Sequence, residues 1–153
     1  LESKFIIDRL SDKVCIFFEN DFKEVIHKFK YILVIPFYNS NFVMTYHPKK
    51  KLWDFPKTSI IEGENVIECA SKSGFNDIGA IFTSIQPFAY YDIIKDNDIV
   101  RTGVVLAGIE KFEPKPRWSE TDIVKLFNKL PKNIKNKKVY ELLVQKAKSY
   151  EIE

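Results

Sequence analysis

Apolar residues in this chain fall into runs of two periods. Lys13-Val14-Cys15-Ile16-Phe17-Phe18 reads as a strand, and Tyr31 to Pro36 is a continuous apolar run rich in β-branched residues, the pattern of a buried strand. Phe22 to Phe29 between them reads as a short helix or an irregular loop. Tyr38-Asn39-Ser40-Asn41 has turn chemistry. Phe42 to Tyr46 then returns, so the two runs predict a hairpin. A longer hairpin is predicted from Ile78–Ile94 and Ile99–Phe112 about the turn Lys95-Asp96-Asn97-Asp98. Pro87 in its first arm predicts a bulge or an edge. Gly103 and Gly108 in the second predict bulges or close backbone approach.

Three segments carry the helical period. Counting from Glu64, Val66, Cys69, Ala70 and Ser73 share one face, Glu64, Glu68, Ser71 and Lys72 share the other, and Gly74 stops the pattern. Ile123, Leu126, Phe127 and Leu130 predict a second helix, opened by Ser119 and Asp122, stapled by Trp118 and ended by Pro131. A third starts near Asn136, with Val139, Leu142, Leu143 and Ala147 as its apolar face. One helix between hairpins and two after them predict a mixed α/β sandwich, a single domain over residues 1–153. A doubly wound parallel fold needs more alternation of strand and helix.

Composition narrows the classes. A chain of 153 residues is one domain's worth and buries a real core. Its net charge of +3 is too small to point to nucleic acid. Cys15 and Cys69 stand alone, which fits a reducing compartment better than a disulfide framework. No apolar run reaches the roughly 18 residues of a membrane span, and Leu1-Glu2-Ser3-Lys4 do not form a signal peptide. The expected location is cytoplasmic, and the oligomeric state stays open.

The stretch from Trp53 to Phe75 carries the chemistry: W-D-F-P-K-T-S-I-I-E-G-E-N-V-I-E-C-A-S-K-S-G-F. Trp53, Pro56, Gly63, Glu64, Gly74 and Phe75, led by Tyr46-His47-Pro48-Lys49-Lys50-Lys51, resemble the box of the Nudix (MutT-like) hydrolases. The resemblance covers most of the chain in outline and about half of the signature. The box is degenerate and shortened. Lys57 and Thr58 stand where the family has two glycines, and Glu64 and Gly74 lie closer together than the family's spacing. Glu68 takes the place of the first helix glutamate, Ile67 that of the arginine, and Ser71 and Lys72 those of the paired glutamates. Without its glycines the loop from Lys57 to Glu62 is expected to depart from the family's tight turn, with Ile60 and Ile61 packed inward.

The resemblance implies an α/β/α sandwich that cleaves nucleoside diphosphates linked to another group. Clustered helix glutamates would hold divalent cations, usually Mg²⁺, which offset phosphate charge and activate a water. This chain keeps Glu68 and Glu64 as candidate catalytic residues and lacks the adjacent pair. Lys72 brings a positive charge to the place of a cation. Two like charges ~4 Å apart repel by about 4 kcal/mol at an effective dielectric of roughly 20. No metal is therefore expected, with Glu64 and Glu68 as its ligands if there is one, and Mg²⁺ only on the enzyme reading.

Glu68 and Lys72 are equally well an i,i+4 pair contributing about 0.2–0.5 kcal/mol, or Lys72 binds a phosphate in place of the metal. Further candidates for substrate binding are Trp53, His47 and Lys51, from a basic turn and an aromatic that could stack on a base. Glu62, Glu110 and Glu113 could enter a rebuilt site. Two functions follow. One is a diverged Nudix-fold protein that binds a nucleotide or another small phosphate-containing ligand, with hydrolysis lost or much reduced. The other is an active pyrophosphohydrolase with a rebuilt metal site.

Overall fold

The structure, a computed structural model, describes residues 2–7, 13–114 and 123–149. Its framework is a mixed sheet of nine strands among those residues, with a helix on each face. The strands are β1 (Glu2–Ile7), β2 (Lys13–Phe18), β3 (Tyr31–Tyr38), β4 (Asn41–His47), β5 (Leu52–Asp54), β6 (Lys57–Ser59), β7 (Ala80–Lys95), β8 (Asp98–Phe112) and β9 (Ile123–Phe127). The helices are α1 (Val66–Ile78) and α2 (Lys137–Ala147). The main order is β1-β2-β7-β8-β3-β4-β5, with β6 beside β3 and β9 beside β4. β3 runs parallel to β8, from Tyr31 opposite Thr102 to Phe37 opposite Gly108, and its apolar run is buried on both faces.

Strict alternation along the central strands divides the core in two. Leu33, Ile35, Val104, Leu106 and Tyr91 face α2 and pack with Val139, Tyr140, Leu143 and Val144. Ile32, Val34, Val105, Ala107 and Tyr90 face α1 and pack with Val66, Cys69 and Ala70. This is the α/β/α sandwich expected from the sequence. The long hairpin is β7 and β8, and it has a register shift between Pro87 and Ala89, where a bulge or an edge was expected. Residues 26–28 form a single 3-10 turn.

Three local expectations are corrected. First, α1 begins at Val66, where Asn65 in an extended conformation accepts the Glu68 amide at 3.1 Å and caps the helix. It runs through Gly74 and ends on Gly79, a left-handed residue at φ 67° whose amide returns to the Gly74 and Phe75 carbonyls. Gly74 is there for packing instead: a Cβ would lie 2.3 Å from the Phe82 ring. Second, Ile123–Phe127 is a strand. Five residues opened by β-branched Ile123 and Val124 satisfy the open edge of β4, and that pairing outweighs the helical period. Ile123 and Leu126 stay exposed. The helix opening at Ser119–Asp122, and Trp118, lie outside the described residues. Third, Lys57–Ser59 is no loop but the short strand β6, and while Ile60 is buried, Ile61 is 70% exposed.

Gly103 shows the close approach expected of it. The Phe29 ring, itself buried against Phe22, lies 2.6 Å from where a Cβ would stand. Gly103→Ala should therefore destabilise the fold by about 1–3 kcal/mol through overpacking, read from urea unfolding midpoints, and Phe29→Leu in the same chain should recover part of the loss.

Candidate functional site

β3 and β4 are joined by a hairpin but pair only at its tip, Phe37 with Phe42 and Tyr38 with Asn41. Below that they part. β3 takes β6 as its partner, with Tyr31 opposite Ser59 and Leu33 opposite Lys57. β4 takes β5, with Thr45 opposite Asp54 and His47 opposite Leu52. The fork holds a cleft of about 380 Å³. Tyr31, Lys57, Thr58 and Ser59 line it from one prong, His47, Lys50, Leu52 and Asp54 from the other, and Asp77 of α1 and Lys135 complete the lining with Phe55.

The cleft's chemistry is basic at the wall and acidic at the base. Asp54 is 5% exposed. Its Oδ1 accepts the Phe55 amide at 2.8 Å and the Tyr140 hydroxyl of α2. Burial pushes its pKa up, against the Tyr140 hydrogen bond and the positive charges of Lys135, Lys57 and His47. Tyr140 is pushed up as well, by burial and then by Asp54. Lys57 is half-buried, with its amine 4.5 Å from the centre of the Tyr31 ring. Burial lowers its pKa, Lys135 and Lys50 add to the effect, and Asp54 opposes it. Asp77 accepts a hydrogen bond from Ser73 at 3.4 Å.

Of the residues singled out in the sequence, His47 lines the cleft, as do Lys50 of the same basic turn and Lys57 and Thr58 at the glycine positions of the motif; the other candidates do not. Glu68 and Lys72 are exposed, with no ion pair between them. Their side of α1 faces away from Ser73 and Asp77, which stand roughly half a turn round at 100° per residue. Glu64 precedes the helix. Its carboxylate accepts the Ile61 amide at 2.9 Å and the Cys69 thiol at 3.6 Å, so it ties the loop to α1. Trp53 packs on Tyr46 and Phe127. Its backbone takes the Asn133 carbonyl at 2.8 Å and the Lys135 amide at 3.0 Å, which fixes Lys135 at the cleft wall. Lys51 sits in the turn at φ 55°, its carbonyl accepting from Asn133. Glu62 and Glu110 are exposed, and Glu113 pairs with Lys111 at 3.3 Å.

Sequence reasoning passed over Tyr31, Asp54, Asp77 and Lys135, and saw Lys57 only as a lost glycine. One signal was available: Asp54 is a carboxylate inside the aromatic run W-D-F, and a buried acid needs a partner.

Mg²⁺ takes hard oxygen ligands, at least one or two of them carboxylates, in a near-octahedral shell. Among the described residues no three His, Cys, Asp or Glu side chains converge to hold such an ion. On α1 Glu68 has Ser71 and Lys72 at i+3 and i+4, and Glu64 is engaged by Ile61 and Cys69. The residues present do not fit a clustered-carboxylate metal site.

No family model matches the chain, and no curated protein matches it. Solved structures do. A variant of the Bacillus subtilis pyrophosphohydrolase BsRppH superposes with a TM-score of 0.76 at 22% identity, over 95% of this chain and 96% of that one. The fold is the Nudix fold. An ADP-ribose pyrophosphatase from Streptococcus suis gives 0.55 at 16% identity, covering 80% and 92% of the two chains. The Nudix domain of Shewanella oneidensis NrtR, in complex with ADP-ribose, gives 0.58 at 12% identity, covering 84% and 94%. The sandwich and the long β7–β8 hairpin of the described residues are thus a Nudix framework. No helix among the described residues is long and apolar enough to cross a membrane.

The raised pKa of Asp54 has a consequence for stability. The folded chain binds this proton more tightly than the unfolded one, so the group favours folding most below the ordinary carboxylate range, and the benefit is lost as pH rises through the raised pKa. Asp54→Asn removes the titrating group. Between acid and neutral pH the natural chain should lose stability relative to this variant, which urea midpoints over a pH series will show. Parallel curves would contradict it.

Proposed function

We propose that this chain is a diverged Nudix-fold protein that binds a nucleotide or nucleoside-diphosphate derivative in the fork, with hydrolysis lost or much reduced. The observation that carries this reading is a separation. Three lysines, Lys50, Lys57 and Lys135, line the fork beside His47 and over Asp54, whereas α1 brings Asp77 to it and has no carboxylate cluster to recruit a metal. Phosphate oxygens suit the lysines, and the Tyr31 ring offers a flat apolar face to a base or sugar. Trp53 serves by holding Lys135 in place. The ligand class is supported by two neighbours in fold, one an ADP-ribose pyrophosphatase and one complexed with ADP-ribose.

The second reading is an active pyrophosphohydrolase with a metal site rebuilt on Glu64 and Glu68. It draws its support from the likeness to BsRppH along nearly the whole of both chains. The two differ in what Mg²⁺ does.

Calorimetry with nucleoside diphosphate derivatives should give binding. Product release with Mg²⁺ present should stay below about 0.01 per second, against the roughly 1–1000 per second of ordinary enzymes. Ser71→Glu with Lys72→Glu puts carboxylates at i+3 and i+4 from Glu68 and should raise Mg²⁺ and Mn²⁺ affinity. Micromolar metal binding with ordinary turnover by the natural chain would return it to the hydrolases.

A further inference from the structure

Lys57 and Lys135 reach the fork from opposite sides, and each is placed by backbone pairing. Lys57 stands on β6, opposite Leu33 of β3. Lys135 is held through its amide to the Trp53 carbonyl. Both side chains are half-buried. Both line the cleft, Lys135 acts on Lys57 more strongly than Lys50 does, and the two lysines act together on Asp54. Yet the Lys57 amine has no carboxylate within ion-pair distance among the described residues; it rests on the Tyr31 ring. The acids at the cleft are engaged: Asp54 Oδ1 by Phe55 and Tyr140, Asp77 by Ser73.

Two amines in one half-buried space repel, and Asp54 with the π face of Tyr31 offsets only part of that. An anion with at least two charges removes the repulsion and takes a charge-assisted hydrogen bond from each amine. We propose that Lys57 and Lys135 hold a terminal phosphate or diphosphate group in the fork without a metal ion, supplying the positive charge that a divalent cation would bring. The proposal rests on the binding reading above and states how the phosphates are held. Lys50, which is exposed, stands at the rim and contributes less.

The test is calorimetry of the full chain with inorganic pyrophosphate in EDTA. Binding is expected without metal. Lys57→Met and Lys135→Met should each weaken it roughly ten- to hundredfold, the loss of one charged hydrogen bond. Lys57→Arg should keep most of the affinity, and Lys95→Met, at the tip of the long hairpin, should keep all of it. Added Mg²⁺ should weaken binding, because it chelates pyrophosphate and competes with the amines. That measurement uses the natural chain, so it stands even where a variant fails to fold.

Pyrophosphate binding that needs Mg²⁺, or that folded Lys57→Met and Lys135→Met chains retain in full, overturns the proposal. Nucleoside diphosphate derivatives that bind only with Mg²⁺ would sink it while leaving the binding reading intact. Absence of binding under every condition sinks both.

Discussion

The site depends on one constraint of backbone hydrogen bonding. β3 has two edges. β8 occupies one of them, in parallel, from Tyr31 to Phe37. The other is shared, with β4 at the hairpin tip and β6 at the far end. A strand edge offers each amide and carbonyl once, so β6 can pair with β3 only where β4 has left it. The fork between the prongs follows from that division, and so does the identity of its walls. Lys57 and Ser59 come with β6, Asp54 and Leu52 with β5, and Tyr31 with β3 itself.

The fork is closed on the side of α2 by a polar anchor in an otherwise apolar core. Tyr140 is fully buried among Leu143, Phe55 and Tyr91, and its hydroxyl meets Asp54 at the base of the cleft. The same stretch of chain is pinned by Trp53 through Asn133 and Lys135. A bonded carboxylate under two amines therefore joins the outer helix, the short strand β5 and the cleft wall. A buried acid left without its donor costs about 1–3 kcal/mol or more, so the arrangement couples the fit of α2 to the state of the cleft. Tyr91 and Thr102, directly opposite one another on β7 and β8, bury their hydroxyls on the far side of this polar strip.

The sandwich was legible in the sequence because its signals are periodic. The apolar run of β3, the long arms of β7 and β8, and the small face of Val66, Cys69 and Ala70 each state their environment. The errors fell where period and pairing disagree. Ile123, Leu126, Phe127 and Leu130 fit a helix in spacing, yet the free edge of β4 claimed the first three of them. Gly74 read as a stop because glycine is a poor helix former, whereas the close approach of Phe82 is what calls for it and Gly79 supplies the left-handed end. The site was less legible still. His47 was within reach through the motif, but Tyr31, Lys57, Asp77 and Lys135 are drawn together from four separate segments by the fork, and no local pattern announces that.

Glu64 has a structural use in the fold. The sequence offers it as a candidate catalytic residue and metal ligand. In the structure Asn65 takes the cap, and Glu64 turns back to the Ile61 amide and the Cys69 thiol. Burial and the neighbouring carboxylate both push the Cys69 thiol up, which keeps it a protonated donor. The carboxylate is thus used to hold the loop against the helix. Its neighbour Glu68 stands exposed on the face turned from the cleft. Glu64 thus serves the loop and Glu68 the solvent, while Lys57 on β6 and Lys135 just before α2 gather in the fork. On the binding reading, that arrangement lets the fork hold a phosphate-sized anion on lysines, where α1 presents no carboxylate cluster for a cation.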